Sequence, residues 1–256
     1  MGWLKLKEYG LKEAYIRKLM KEFGAYSDMF IASNFNLFSD KFKSTLEKVD
    51  KVDVSRILET HNKSSVRIIS AKDNEYPSDI KKLVDFPTFL YVKGNEMHRE
   101  RKIAVVGTRK VTKFGKASCE KIVKDLLEYD ITIVSGLAEG IDTIALNIAV
   151  QKNNNPIAIV GTGLDIVYPF ENREIWEKIG REGTIISEYP LGTSAQKWNF
   201  PKRNRLIAAI SNGVLVAESF HRGGSLITAE LAYSLDKEIF AIPGFINYPS
   251  FEGCNN

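Results

Sequence analysis

The sequence predicts an α/β protein: an extended Rossmann-like, mostly parallel sheet with helices on both faces, preceded by a small all-helical domain. Two observations predict the sheet. From Val66 onward, short apolar runs recur without polar alternation, as expected for strands buried on both faces. Segments with one apolar helical face separate these runs. A third observation predicts the helical domain, because residues 1–62 contain no comparable strand run.

The predicted helical domain spans residues 1–62, and the Rossmann-like domain spans residues 63–256. Within the helical domain, apolar residues at four-residue spacing indicate one helix, and they are Leu11, Tyr15, Leu19 and Phe23. We favour a small bundle of the SAM or helix-hairpin-helix type that serves packing or protein contacts. A helix-turn-helix-like nucleic-acid module stays open as the alternative, although no basic recognition helix is evident.

Eight apolar runs are predicted to be strands of the sheet. They are VRII (66–69), TFLYV (88–92), IAVV (103–106), ITIV (131–134), PIAIV (156–160), TIIS (184–187), GVLVA (213–217) and EIFAI (238–242). Between them, residues 116–129 and 226–235 each place apolar side chains on one helical face. This alternation is typical of a doubly wound α/β domain.

The composition indicates a protein of the reducing cytoplasm without a metal site. Of the 256 residues, 44% are hydrophobic and 27% are charged, and the net charge of +4 is too small to indicate nucleic acid by itself. Cys119 and Cys254 lie far apart, and the histidines lack metal-ligand spacing. No apolar run approaches the roughly 18 residues of a membrane span, and the first residues lack a secretory apolar core. We therefore expect no contact with a membrane.

Ligands of an open parallel sheet bind at the carboxyl ends of its strands, so the strand-to-helix junctions are the candidate sites. Gly107, Thr108 and Arg109 follow the third run, and Ser135 and Gly136 follow the fourth. No G-x-G-x-x-G motif accompanies them, and the fourth run does not end in the acid that would hold a ribose. A nicotinamide cofactor is therefore disfavoured, and no other cofactor is predicted.

Two further junctions carry small residues that suit an anion. Gly161 and Gly163 form a G-x-G turn after the fifth run, and Gly224 and Ser225 open a helix after the seventh. Amides at a helix start attract anions, although a tight turn or a satisfied helix cap explains the same residues. Asp142, near the second junction, is expected to accept hydrogen bonds from main-chain amides rather than to catalyse.

The segment 197–205 is the most informative. Four basic residues fall within nine positions, interleaved with two aromatic rings and two asparagines and free of acids. Single-stranded nucleic acid is held by such a combination, with cations along the phosphates and rings beneath the bases. The candidate DNA-binding residues of this segment are Lys197, Phe200, Lys202, Arg203, Asn204 and Arg205. A solvated basic helix start, with its aromatic rings in the core, is the alternative.

The sequence shows no serine or cysteine nucleophile beside a histidine, no paired carboxylates and no Walker loop. We therefore expect a binding protein rather than an enzyme and assign no catalytic residue. The competing enzymatic reading depends on GGSLITAE, which loosely resembles the G-G-x-G-T-x-x-E motif of nucleoside-monophosphate phosphoribohydrolases. Glu230 would be the catalytic carboxylate in that case.

The junctions, in this order, resemble the DNA-processing protein A family (DprA, also called Smf). The matching blocks are GTRKVTKFG, SGLAEGID, IAIVGTGLDIVYPFEN, SEYPLGT with NFPKRNRLIAAIS, GGSLITAELA and IFAIPG. The resemblance covers residues 66 to 256. It implies that the protein binds and protects incoming single-stranded DNA, assists RecA loading in natural transformation, and forms a homodimer through the Rossmann-like domain. It also implies that Arg109, Lys197 and Phe200 line the DNA pocket.

The sequence departs from the family pattern at several positions. Leu146 replaces a usual histidine, Gly223 stands where serine is usual, and Phe170 occupies a place where some relatives carry a basic residue. We therefore expect this protein to lack one phosphate contact that a basic residue at position 170 makes in those relatives. Relatives also continue beyond the last residues of this sequence, with a helix and often a winged-helix-like tail.

Overall fold

The computed structural model describes residues 2–97 and 101–256, which contain eight strands and eleven α-helices. The helices are α1 (Gly2–Glu8), α2 (Glu13–Glu22), α3 (Ala32–Phe35), α4 (Asp40–Asp50), α5 (Ser55–Lys63), α6 (Lys113–Leu127), α7 (Ile141–Gln151), α8 (Arg173–Glu182), α9 (Asn199–Ile210), α10 (Gly224–Tyr233) and α11 (Glu252–Asn255). The strands are β1 (Val66–Ser70), β2 (Phe89–Gly94), β3 (Lys102–Gly107), β4 (Thr132–Ser135), β5 (Ile157–Val160), β6 (Thr184–Ser187), β7 (Gly213–Glu218) and β8 (Glu238–Ala241). Each apolar run of the sequence contributes one strand, as predicted.

All eight strands belong to one sheet with the order β1-β2-β6-β5-β4-β3-β7-β8. The pairs from β6 to β8 are parallel, whereas β2 pairs antiparallel with both β1 and β6. The prediction of a mostly parallel sheet is therefore confirmed. The antiparallel strands at one end extend the sheet beyond the doubly wound part.

Both faces of the sheet are covered by helices, which explains why its strands show no polar alternation. On β3, Ala104 and Val106 join an apolar cluster with α9 and α10, whereas Val105 joins a second cluster with α6 and α7. A third cluster packs α8 against residues of β5 and β6. Helices on both faces were predicted from the sequence, and the structure confirms them.

The amino-terminal helices pack against the sheet and share its largest apolar cluster. The side-chain carboxylate of Glu13 on α2 accepts hydrogen bonds from the hydroxyl (2.6 Å) and N–H (3.2 Å) of Thr88, just before β2. Within α2 the buried face contains Ile16 and Leu19, whereas Tyr15 is exposed. The predicted apolar stripe is therefore rotated slightly from the face of α2 that is buried in the structure. The domain division at 62/63 stays a prediction.

The connections of the sheet create a crevice at the carboxyl ends of β3 and β7. From β3 the chain passes through α6 to β4 on one side, and from β7 it passes through α10 to β8 on the other. Adjacent strands whose connections leave in opposite directions form the topological switch point at which open α/β sheets bind ligands. The described residues contain no helix that is both long and apolar enough to span a bilayer.

Candidate functional site

An open groove of about 570 Å³ lies at this switch point. Its walls come from the loop after β3, the first turns of α9 and α10, and the segment that follows β7. A narrower recess continues from it, lined by Arg109, Tyr168, Phe200 and the 136–139 turn. We refer to these two connected spaces as the groove and the recess.

The loop after β3 carries an exposed arginine into the groove. The N–H of Thr108 donates to the carbonyl oxygen of Glu218 (2.7 Å), and the Thr108 carbonyl oxygen accepts from the N–H of Ile141 (3.2 Å). The main chain on both sides of Arg109 is therefore fixed. Within the described chain the guanidinium of Arg109 has no hydrogen-bond or ion-pair partner, so its charge is available to an anion. Gly107 and Thr108 also line the groove.

The start of α9 supplies an aromatic ring and a second cation. Phe200 lies in the first turn, and its ring centroid is 5.2 Å from that of Tyr168, with 32° between the ring planes. Lys197 precedes the helix, is exposed and lines the groove, as does Asn204 one turn further on. Trp198 is 70% exposed but lies outside both spaces. Lys197, like Arg109, has no hydrogen-bond or ion-pair partner within the described part of the chain, so the groove combines two available cations with a pair of neighbouring rings.

Arg203 also borders the groove, but its side chain is almost completely buried. Its guanidinium donates to the carbonyl oxygens of Gly136 and Ile159 and so ties the ends of β4 and β5 together. Burial lowers the pKa of Arg203 to about 10, against the attraction of Asp142. The group is therefore charged at neutral pH. These hydrogen bonds give Arg203 a role in holding the edge of the sheet, so its guanidinium is not available to a phosphate in the way that Arg109 is.

Asp142 accepts hydrogen bonds from the N–H groups of Gly136 (3.0 Å) and Ala138 (3.4 Å), the role expected from the sequence. Burial raises the pKa of Asp142, while Arg203 and the two amides oppose this rise. A side chain at Gly136 would displace the arginine, because an added Cβ would lie 2.6 Å from the guanidinium nitrogens of Arg203.

The other two basic residues of the 197–205 segment lie away from the groove. Arg205 is buried and forms ion pairs with Glu188 (2.7 Å) and Asp85 (2.9 Å). Lys202 is about half exposed, lies 3.5 Å from the same Glu188 carboxylate and stands over the ring of Tyr189. Neither side chain lines the groove or the recess. The structure therefore does not bring these two predicted residues to the site.

The glycine and serine residues predicted for the site also divide into those that line the groove or the recess and those that are buried beneath them. Gly224 and Ser225 begin α10 and line the groove, whereas Gly136 lines the recess. Ser135 is buried and donates its hydroxyl to the Val105 carbonyl oxygen (2.6 Å). Gly161 and Gly163 are buried beneath the site, and a Cβ at Gly161 would lie 3.2 Å from the Phe200 ring. Their contribution is to the packing that supports the groove.

Sequence reasoning missed two residues of the recess. Tyr168 was quoted only as part of a motif, yet its ring is the neighbour of Phe200, and Glu139 was not considered as a site residue at all. The Tyr168-Pro169 pair, five residues after the G-x-G turn, was the available signal for Tyr168. Glu230, the carboxylate of the enzymatic alternative, is exposed on α10 and lines neither space. No cluster of metal-ligating side chains is present among the described residues.

The fold and the groove define an α/β protein with a cationic, aromatic binding site at a topological switch point. The chain belongs to the family of DNA recombination-mediator protein A, whose family model matches residues 67–256. The family resemblance drawn from the sequence blocks is thereby confirmed.

Individual relatives agree with this assignment. DNA processing protein DprA of Streptococcus pneumoniae is 36% identical over 262 residues, which cover 98% of this chain and 89% of that protein. Protein Smf of Synechocystis sp. is 38% identical over 206 residues, which cover 78% of this chain but 52% of Smf. The chain therefore matches about half the length of the second relative.

Two solved structures are similar to this one. The structure of DNA processing protein A from Streptococcus pneumoniae has a TM-score of 0.80 at 35% identity, covering 99% of this chain and 90% of that one. DNA processing protein A from Helicobacter pylori, described for its single-stranded DNA binding mode, has a TM-score of 0.67 at 30% identity. The matched part covers 72% of this chain and 84% of the Helicobacter pylori chain.

Proposed function

We propose that this protein binds single-stranded DNA in the groove, without catalysing a reaction on it. The observation that carries this proposal is the pair of rings of Tyr168 and Phe200 beside the unpaired cations of Arg109 and Lys197. Rings of this kind stack on bases of any sequence, and cations track the phosphates. The single-stranded DNA binding described for the Helicobacter pylori relative supports the same reading.

The chemistry of each groove residue suits one part of a nucleotide. The guanidinium of Arg109 and the ammonium of Lys197 are donors without acceptors and therefore bind phosphate oxygens. Gly224 and Ser225 present the amino-terminal end of α10, which attracts negative charge. The rings of Tyr168 and Phe200 line both the groove and the recess, and we propose that a base stacks against them there. A nucleotide strand bound in this way needs no nucleophile, metal or cofactor.

A duplex is excluded from this arrangement because its bases are already stacked on one another and cannot reach the rings. The test is a fluorescence-anisotropy titration with single- and double-stranded oligonucleotides of equal length. We expect tight binding of the single strand only, and a loss of about tenfold for Arg109→Ala. The matched control is Lys121→Ala, which removes an exposed lysine that pairs with Asp125 on α6. Equal affinity for duplex and single strand, or an unaltered Arg109→Ala, contradicts the proposal.

We further propose that the protein assists the loading of RecA onto the bound strand in the cytoplasm, and that it protects incoming DNA during natural transformation. The description of its family as recombination mediators supports this role. The rate of RecA filament formation on single strands tests it. We expect the wild-type protein to accelerate filament formation and Arg109→Ala to accelerate it less. An unchanged rate with the wild-type protein contradicts the mediator role.

The homodimer implied by the family resemblance is also part of the proposal. The edge strand β8 supports it, because all four of its residues are exposed and two of them, Ile239 and Phe240, are large and apolar. An exposed apolar edge strand favours pairing with another chain. Light scattering after gel filtration should give a dimer for the wild type and a monomer for Phe240→Asp. A monomeric wild-type protein contradicts a dimer.

A further inference from the structure

The recess contains an acid, which is unexpected in a site proposed for a polyanion. Glu139 lines the recess together with Arg109, Tyr168 and Phe200. Within the described chain its carboxylate has no hydrogen-bond or ion-pair partner, although the guanidinium of Arg109 lines the same space. A carboxylate at this position repels phosphate and only accepts hydrogen bonds, so it suits the donor groups of a base.

The main chain before Glu139 is held from two sides. Leu137 is buried with a φ of 55°, a conformation that costs energy and persists only where the surroundings enforce it. Its carbonyl oxygen accepts a hydrogen bond from the side-chain amide of Asn172 (2.9 Å). The carbonyl oxygen of Ala138 accepts from the hydroxyl of Thr143 (2.7 Å). The peptide that carries Glu139 is therefore fixed before any ligand binds.

The main chain after Glu139 is held against the loop of Arg109. Gly140 has a φ of 83°, and an added Cβ would lie 2.3 Å from the carbonyl oxygen of Thr108. Only glycine allows this close approach. The turn that carries the acid and the loop that carries the arginine therefore form one rigid rim, and both residues line the recess beside the two rings.

Guanine matches the carboxylate of Glu139 and the guanidinium of Arg109 better than the other bases do. Its Watson–Crick edge presents two adjacent donors, N1–H and the N2 amino group, and a carboxylate accepts from both. Its O6 and N7 atoms accept from a guanidinium, the commonest arginine contact with this base. Thymine presents a single N–H between two carbonyl oxygens, which a carboxylate repels. Bases of single strands are commonly read on these edges while they stack on aromatic side chains.

We propose that Glu139 reads the edge of the base in the recess and makes the protein prefer guanine over thymine. This inference rests on the proposed binding of single strands in the groove. The competing explanation is that Glu139 acts on the phosphates alone and weakens the binding of every strand equally. The two explanations differ in the dependence of affinity on base identity, because uniform repulsion has none.

The experiment compares three single strands of equal length: oligothymidine, the same strand with isolated guanines, and the same strand with hypoxanthine at those positions. Hypoxanthine lacks the 2-amino group of guanine. For the wild type we expect about tenfold tighter binding of the guanine strand than of oligothymidine, with the hypoxanthine strand between them. For Glu139→Gln we expect the preference to fall to about twofold or less. Glu171→Gln, which changes an exposed acid outside the recess, should keep the wild-type preference.

Two results overturn the inference while leaving the proposed function intact. One is tight binding of all three strands by the wild type with equal affinity. The other is a Glu139→Gln variant that binds every strand more tightly but keeps the guanine preference, as repulsion of phosphate predicts. A wild-type protein that binds none of the strands overturns the proposed function, and this inference with it.

Discussion

The carboxylate of Glu218 at the end of β7 accepts hydrogen bonds from both the N–H (3.0 Å) and the hydroxyl (3.2 Å) of Thr112. The carbonyl oxygen of Glu218 accepts from the N–H of Thr108. One fully buried residue therefore holds both ends of the loop that presents Arg109. An added Cβ at Gly115 would lie on this carboxylate, so glycine is required there.

Glu218→Ala should lower the free energy of unfolding by about 1–3 kcal/mol, because the N–H of Thr112 loses its acceptor. The Arg109 loop also loses its anchor, so affinity for single strands should fall several-fold. Urea denaturation and anisotropy titration measure the two effects. Glu218→Gln keeps one acceptor oxygen, so it should lose less unfolding free energy and less affinity for single strands than Glu218→Ala. Equal losses for the alanine and glutamine variants would argue against this hydrogen bond as the anchor.

Arg205→Ala should destabilise the fold by about 3–5 kcal/mol because it leaves the buried carboxylate of Glu188 with only the half-exposed Lys202 as a cationic neighbour. The protein that remains folded should bind single strands as the wild type does, since Arg205 does not line the groove. Thermal unfolding and titration below the transition separate the two readouts. Arg173→Ala, which removes an exposed arginine paired with Glu177, should cost less than about 1 kcal/mol. Weaker DNA binding by the folded Arg205→Ala variant would contradict this prediction and show that Arg205 contributes to DNA binding.

Lys197→Ala and Lys202→Ala should behave differently although both remove a lysine from one short segment. Lys197 lines the groove, so its removal should weaken binding and flatten the dependence of log affinity on log salt by about one unit. Lys202 lies beside Glu188 outside the groove and should change neither quantity appreciably. Titrations over a range of salt concentrations measure both. Similar losses for the two variants would indicate a diffuse basic surface in place of a groove.

The contact of Glu13 with Thr88 should make the docking of the amino-terminal helices depend on pH. Burial acts to raise the pKa of Glu13, but Lys7 and the hydrogen bonds from Thr88 outweigh it and hold the pKa below its ordinary value. The stabilisation is therefore fully present above the ordinary pKa of 4.5 and is lost as the pH falls through the lowered value. The difference in unfolding free energy between wild type and Glu13→Gln should stay constant near neutral pH and shrink under acid conditions. A difference that grows on acidification would contradict the assignment.

The sequence was sufficient to predict the sheet because burial on both faces leaves a direct mark on composition. Uninterrupted runs such as 157–160 are typical of strands that helices cover on both faces. The junctions followed from the rule that ligands bind at carboxyl strand ends, and Gly107 and Arg109 do line the groove at that edge. The order of the strands and the antiparallel pairing of β2 depend on long-range contacts that no local pattern records.

The site was only partly predictable because a cluster of charges in the sequence does not tell which face of a helix each charge occupies. In α9, Arg203 lies on the same buried face as Leu206 and Ile207, and its guanidinium satisfies carbonyl oxygens of the sheet. Tyr168 was missed for a related reason. Its contact with Phe200 joins a loop to the first turn of α9, which lies far along the chain, and no spacing rule connects the two.

Binding of a single strand in the groove should place a base against the rings of Phe200 and Tyr168. Photocrosslinking with a single strand that contains 5-iodouracil, followed by mass spectrometry, tests this claim most directly, because the iodinated base reacts with the aromatic ring on which it stacks. We expect crosslinked peptides that contain Tyr168 or Phe200, and a strong loss of crosslinking at the site in Phe200→Leu. Crosslinks confined to the exposed Trp198, with unchanged yield in Phe200→Leu, would contradict the claim.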